Sequence, residues 1–110
     1  MSSERVHKIN EQIKRYVGDI ILRELSLKKT VLVTLAKVDT TPDLRYTRVF
    51  VSVYPESDFP YVMKTLEKEK GRIQSILHKK LQIKIPPRVE FRPDSTESQA
   101  DKIEKLLKEI

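Results

Sequence analysis

The sequence predicts an α+β domain with the element order α-β-β-α-break-α-β, a C-terminal helix and a three-stranded sheet. Two observations carry this prediction. Apolar residues recur every three or four positions near the N-terminus and again in the second half of the chain, as in amphipathic helices. Between and after these segments, β-branched and aromatic residues form runs typical of strands. A chain of 110 residues corresponds to one domain by length, so we expect residues 1–110 to form a single unit.

The first helix is predicted from Ser2 or Ser3, either of which can cap it, to about Leu25. Its apolar residues lie on one face, and its charged residues mostly lie off that face. We interpret this mixed charge as a solvated surface. The apolar face consists of Val6, Ile9, Ile13, Tyr16, Val17 and Ile20.

Two strands follow, predicted over Thr30–Asp39 and Tyr46–Tyr54. The Asp, Thr and Pro residues between them are typical of a turn, so the strands should pair as an antiparallel hairpin. In the second strand, one predicted face consists of Thr47, Val49, Val51 and Val53, and the other of Tyr46, Arg48, Phe50, Ser52 and Tyr54.

Three aromatic residues share the second of these faces, and they allow two interpretations. Aromatic side chains on an open sheet can stack on RNA bases. We favour the alternative, in which they pack beneath a helix or cover the sheet, because the glycine and aromatic run typical of RNA-binding sheets is absent.

The second half of the chain is predicted to contain two consecutive helices and a strand. Asp58 can cap the first of these helices, which should end at a break at Gly71, since glycine disfavours a helix interior. The next helix should end before Pro86, and the alternation around Val89 and Phe91 predicts the third strand. A last helix, capped by Ser95 or Ser98 and apolar along one edge, is expected to pack on the domain.

The positive charge is concentrated in one segment. The formal net charge is +6, and residues 68–92 contain eight basic and two acidic residues, which accounts for all of it. Clustered lysine and arginine indicate a polyanionic partner, most often nucleic acid. A break in the helix would also present a second helix N-terminus, which attracts phosphate, beside Lys70 and Arg72.

Several function classes find no support in the residues. The chain contains no cysteine and only two isolated histidines, so neither a metal site nor a nucleophile–base pair can be proposed. There is no phosphate-binding glycine loop, and no apolar run is long enough to span a bilayer. We therefore expect a cytoplasmic protein that is not an enzyme, with no cofactor, no metal and no membrane partner.

Four motifs together resemble the ribosome-binding factor A family, and the resemblance covers nearly the whole chain. The first helix begins with Arg5-Val6, and the hairpin contains V-T-x-x-x-V at 33–38 and D-L-x-x-x-x-V-F-V at 43–51. The sequence K-G-R-I occupies 70–73, and P-x-V-x-F-x-x-D occupies 87–94. The resemblance implies a KH-like fold of the bacterial type (type II). In place of the usual Ala-x-Gly kink of that family, this chain has Glu69-Lys70-Gly71.

The resemblance also implies a function. Family members assist late maturation of the small (30S) ribosomal subunit and 5′-end processing of 16S rRNA, with a role in cold adaptation. The expected protein is a monomer that binds the free subunit and its rRNA, with a ribosome-associated GTPase as a candidate for its release. From charge and position, the predicted RNA-binding residues are Lys68, Lys70, Gly71, Arg72, Lys79, Lys80, Lys84 and Arg88.

Two other functions stay open at this point. One is a general single-stranded RNA-binding protein that uses Tyr46, Phe50 and Tyr54 as stacking platforms. The other is a protein–protein adaptor whose basic surface meets an acidic partner.

Overall fold

Two long helices and three strands make up the part of the chain that the computed structural model describes, residues 2–94. The α+β class and the order of these elements are confirmed, whereas the helix expected after Ser95 or Ser98 lies outside the described residues. The elements are α1 (Ser2–Glu24), β1 (Leu32–Thr40), β2 (Tyr46–Tyr54), a 3-10 turn (Glu56–Asp58), α2 (Phe59–Leu81) and β3 (Arg88–Pro93).

The three strands form one mixed sheet in the order β1-β2-β3. β1 and β2 pair in antiparallel fashion, as predicted for a hairpin, and β3 adds to the other side of β2 in parallel. A parallel pair needs a crossover connection, and α2 provides it. The register of β1 shifts between Leu35 and Lys37, so that Ala36 has no partner on β2, as in a β-bulge.

Both helices pack on the same face of the sheet. The face of β2 predicted from its alternation, which includes Val49 and Val51, is the buried one. The core is almost entirely aliphatic, and within the described part of the chain its only buried polar residues are Thr40 and Thr47, whose hydroxyls hydrogen-bond to each other at 2.9 Å. The buried apolar residues are Ile13, Val17, Ile20, Ile21, Val38, Val49, Val51, Val53, Val62, Leu66, Ile73, Leu77, Val89 and Phe91.

The predicted break at Gly71 is wrong. α2 runs without interruption from Phe59 to Leu81, and Gly71 does not adopt a positive φ. The physical reason is packing: Leu66 before the glycine and Ile73 after it are both fully buried on one helix face. Burying a large aliphatic side chain contributes about 1.5–3 kcal/mol, which outweighs the roughly 1 kcal/mol that glycine costs in a helix.

The two ends of α2 differ in how they are formed. Asp58 occupies the predicted N-cap position, but its side chain makes no capping hydrogen bond, and Pro60 lies in the first turn. At the other end, Gln82 adopts a left-handed conformation with φ of 53°, the usual way to end a helix. The prolines at 86 and 87 therefore follow the helix end instead of causing it.

The turn between β1 and β2 is held by side chains. The Thr41 hydroxyl donates a hydrogen bond of 2.6 Å to the Asp43 carboxylate, and the backbone N–H of Arg45 donates another. These bonds favour the charged form and lower the pKa of Asp43 below its ordinary value, with the Thr41 hydroxyl as the largest cause. Neither described helix has the length and apolar character required to cross a bilayer.

Candidate nucleic-acid interface

A row of basic side chains follows the solvent-facing side of α2. Lys64, Lys68, Arg72 and Lys79 are spaced by four, four and seven residues, so they lie above one another on a helix of 3.6 residues per turn. All four are exposed, and the buried residues of α2 lie on the opposite side of the helix. We call these four residues the α2 ridge. A row of cations at this spacing suits the phosphates of a nucleic-acid backbone.

Arg72, in the middle of the α2 ridge, also joins the two helices. Its guanidinium lies 2.9 Å from a carboxylate oxygen of Glu24 and donates a second hydrogen bond of 3.2 Å to the backbone carbonyl of Glu24. Glu24 is the last residue of α1, where carbonyl groups lack helical partners and a positive charge is favourable. Glu69 lies farther away, at 3.9 Å. Part of the hydrogen-bonding capacity of Arg72 is therefore used inside the fold.

Lys70 does not lie beside Arg72, although the two are close in sequence. Residues two apart point to different sides of a helix, and Lys70 is half-buried with its ammonium 3.0 Å from Glu67. The helix N-terminus expected next to these two residues does not exist, because α2 is continuous. The structure thus separates Lys70 from the α2 ridge.

Lys80 lies where α1 and α2 meet, over the ring of Tyr16. The Lys80 ammonium is 6.0 Å from the ring centroid, and the Arg15 guanidinium is 5.1 Å from it. The two helices run antiparallel, which brings Lys80 and Tyr16 together although they are far apart in the sequence. Arg15 is not among the predicted RNA-binding residues, because the charge of α1 was interpreted as a solvated surface. The adjacent aromatic residue, Tyr16, is the only local signal in the sequence for this contact.

Lys84 and Arg88, the last two predicted residues, lie beyond the end of α2. Lys84 is exposed in the connection to β3, and Arg88 is the first residue of β3. Val89 is buried under the helices, and successive residues of a strand point to opposite faces, so Arg88 lies on the face away from α2. The predicted set is therefore divided among the α2 ridge (Lys68, Arg72, Lys79), its flanks (Lys70, Lys80), a connection (Lys84) and the far side of the sheet (Arg88).

Gly71 lies on the exposed side of α2, between Lys68 and Arg72. A Cβ added to it would have no atom within 4 Å, so nothing in the described fold requires a glycine there. The helix backbone is consequently bare at this point of the α2 ridge, and a ligand can come closer to a bare backbone than to one with a side chain.

Among the described residues, no cluster of histidine, cysteine and carboxylate side chains could hold a metal ion. A cavity of about 300 Å³ lies between the end of α1 and α2, and its wall carries charges of both signs. Lys68 and Arg72 face Glu24 and Glu69 there. The cations of the α2 ridge remain the main chemical feature of the helical side.

The fold and the exposed cations together define a small basic α+β domain of the KH-like class. The family model for ribosome-binding factor A matches residues 5–107, nearly the whole chain. The chain therefore belongs to the ribosome-binding factor A family.

Relatives named ribosome-binding factor A match this chain over most of their length. The protein of Natranaerobius thermophilus is 35% identical over 100% of this chain and 85% of its own length. The protein of Staphylococcus carnosus is 31% identical, with 100% and 96% covered.

Solved structures show the same fold. The crystal structure of ribosome-binding factor A from Thermus thermophilus superposes with a TM-score of 0.69 at 22% identity, covering 80% of this chain and 94% of that one. A homology model of the Thermus thermophilus protein, fitted into a cryo-EM map of its complex with 30S, gives a TM-score of 0.67 at 24% identity, with 80% and 92% covered. At these identities, the likeness concerns the fold.

Proposed function

We propose that this chain binds the free small ribosomal subunit and its 16S rRNA and assists late maturation and 5′-end processing of that rRNA, with a role in cold adaptation. Membership of the ribosome-binding factor A family carries this proposal. The Thermus thermophilus protein, which shares the fold, is described in a complex with 30S. The exposed cations of α2 supply a chemically suitable surface for rRNA.

The proposed mechanism is binding without catalysis. Lys68 and Lys79 lie on the α2 ridge without an ion pair among the described residues, so their ammonium groups are free to contact phosphates. Such contacts position a protein on RNA and carry little sequence information, so rRNA shape would supply the specificity. The other proposed contact residues are Lys70, Gly71, Arg72, Lys80, Lys84 and Arg88.

The proposal extends to the cellular setting. The protein would act as a cytoplasmic monomer, without cofactor, and a ribosome-associated GTPase would promote its release. Holding one arrangement of the rRNA requires affinity for that arrangement over others, since a ligand shifts an equilibrium only by its differential affinity.

Co-sedimentation with purified small subunits tests the proposal. Replacing Lys68 and Lys79 with glutamine removes two charged hydrogen bonds that contribute roughly 1.5–3 kcal/mol each, so affinity should fall at least about a hundredfold. The control removes the same charge elsewhere: Lys14→Gln with Lys29→Gln, two exposed residues off the α2 ridge. If the parent protein does not bind immature subunits, the proposed function is wrong. If both double variants lose affinity equally, the α2 ridge is not the rRNA contact.

A further inference from the structure

The face of the sheet opposite the helices carries large apolar side chains that no described element covers. Tyr54 is 73% exposed, Leu32 62% and Tyr46 45%, and Phe50 between the tyrosines is half-buried. The interpretation favoured from the sequence is that these aromatics pack beneath a helix or cover the sheet. Neither described helix covers them, because α1 and α2 both lie on the other face. We call this surface the open face.

Cations flank the aromatic residues of the open face. In the row through Phe50, Lys37 of β1 is its partner on one side and Arg92 of β3 on the other. The Lys37 ammonium lies 5.9 Å from the centre of the Phe50 ring. In another row, Arg88 is the partner of Tyr46. Two of the three aromatic rings thus have a positive side chain beside them.

The anionic groups of the open face are fewer and are concentrated in one row. Asp39 and Glu90 are the partners of Arg48 on its two sides, so this row contains both carboxylates. Glu90 also lies 3.1 Å from Arg92, an exposed pair of the kind that contributes little and exchanges easily. Four cations against two carboxylates on the three described strands leave the open face positive. The cations are Lys37, Arg48, Arg88 and Arg92.

We propose that the open face binds a segment of single-stranded RNA, with bases stacking on Tyr54, Phe50 and Tyr46. Lys37, Arg88 and Arg92 would bind the phosphates that connect the stacked bases. Strands rise about 3.3 Å per residue, so the rings, four residues apart on β2, lie roughly 13 Å from one another along the strand. Aromatic platforms beside cations are the combination that binds single strands through any base, since every base has a stacking face.

An acidic protein partner fits this surface less well than RNA does. Tyr54, Phe50 and Tyr46 form a line along the central strand, whereas the cations are distributed on both sides of it. In RNA, flat bases can stack on the central rings while the phosphates reach the cations on either side. The open face and the α2 ridge lie on opposite sides of the sheet, so one molecule could contact two RNA segments at once.

Anisotropy of fluorescently labelled octa-adenylate and octa-uridylate, titrated with the full-length protein, tests this inference directly. The variants are Tyr54→Leu, Tyr46→Leu and their combination, which keep apolar bulk and remove the stacking ring. We expect the loss of each stacking ring to weaken RNA binding by roughly 5- to 150-fold. Leu22→Ala is the control, because Leu22 is also a largely exposed apolar residue but lies on α1.

Three results would overturn the inference. One is parent affinity in the combined tyrosine variant together with loss of binding in Lys68→Gln with Lys79→Gln, which would place the oligonucleotide on the α2 ridge. Another is a lowered melting temperature in the tyrosine variants with unchanged oligonucleotide affinity, which would indicate that these aromatic side chains serve packing and not RNA binding. The third is an unchanged affinity for RNA with a reduced affinity for acidic peptides. Since the titration contains no ribosomal subunit, failure here does not bear on the proposed function.

Discussion

Arg72 illustrates how one residue can be assigned to binding from the sequence and to packing from the structure. Its position in the basic segment predicted a phosphate contact, and the structure gives it two hydrogen bonds to Glu24 at the end of α1. The side chain remains about half exposed, with 53% of its surface accessible. A phosphate could therefore reach the guanidinium, but only in competition with the link between the helices.

A double-mutant cycle on Arg72→Gln and Glu24→Gln should measure this link. Both side chains are partly exposed, so solvent screens the pair, and we expect a coupling of about 0.2–1 kcal/mol in the free energy of urea unfolding. The backbone hydrogen bond to Glu24 should add to the single effect of Arg72→Gln, because that variant leaves the carbonyl without this donor.

Arg72→Lys serves as the control for charge in this cycle. Lysine keeps the positive charge and lacks the planar fork that bonds to two oxygens at once, so part of the stability should be lost. Additive effects of the two glutamine substitutions would contradict a stabilising link between the helices.

At the scale of single elements, α2 is a continuous amphipathic helix whose buried and exposed sides have separate roles. Leu66, Ile73 and Leu77 hold it to the sheet, and the opposite side carries the α2 ridge. Continuity matters for the proposed binding, because an uninterrupted helix keeps Lys68 and Lys79 on one side of it. A break at Gly71 would have placed them on two helices of independent direction.

Gly71→Ala tests whether the glycine serves the fold or the interface. Alanine should raise the free energy of unfolding by roughly 0.5–1 kcal/mol, since glycine is the poorer helix former and the added Cβ meets no atom within 4 Å. If RNA approaches the bare backbone of the α2 ridge, the same variant should bind small subunits more weakly. Urea unfolding and co-sedimentation measure the two effects.

Ser75→Ala, one turn further along the same exposed side, is the matched control for this substitution. It also improves helix propensity, and we expect it to leave subunit binding unchanged. Parent affinity in Gly71→Ala would remove Gly71 from the interface, and a destabilised Gly71→Ala would mean that the fold does need glycine at this position.

For the whole molecule, the concentration of charge predicted from the sequence takes a different form in three dimensions. Residues 68–92 carry the entire net charge of +6, yet they extend from α2 across the end of the domain to β3. Lys68 and Lys79 lie on the helical side, and Arg88 and Arg92 on the open face. A single basic segment therefore supplies cations to two opposite surfaces.

A salt series on subunit binding should show how far the cations on the helical side contribute to subunit binding. Each phosphate interaction that Lys68→Gln and Lys79→Gln remove should flatten the dependence of log affinity on log salt concentration by up to about one unit. The equally charged variant Lys14→Gln with Lys29→Gln should keep the parent slope, since screening at about 10 Å weakens distant effects at about 0.1 M salt. Equal slopes in all three proteins would show that local interactions on the α2 ridge do not determine subunit binding.

Local patterns in the sequence were sufficient for α1, for the three strands and for much of the core. The bounds of β2 and its buried face follow from strict alternation, because a strand places successive side chains on opposite faces. The extent of α1 follows from its three- and four-residue spacing, which only a helix converts into a single apolar face. The family was evident as well, since its motifs are short stretches read directly from the chain.

Contacts between distant residues decided the rest. The helix continues through Gly71 because the sheet buries the residues on either side of it. Arg72 meets Glu24 across 48 positions, and Lys80 meets Tyr16 only because α1 and α2 pack antiparallel. Which face of the sheet the helices leave open, and so which aromatics reach solvent, depends on the direction of the crossover from β2 to β3. Propensity and periodicity are local properties, whereas these outcomes depend on packing energies shared among elements far apart in the sequence.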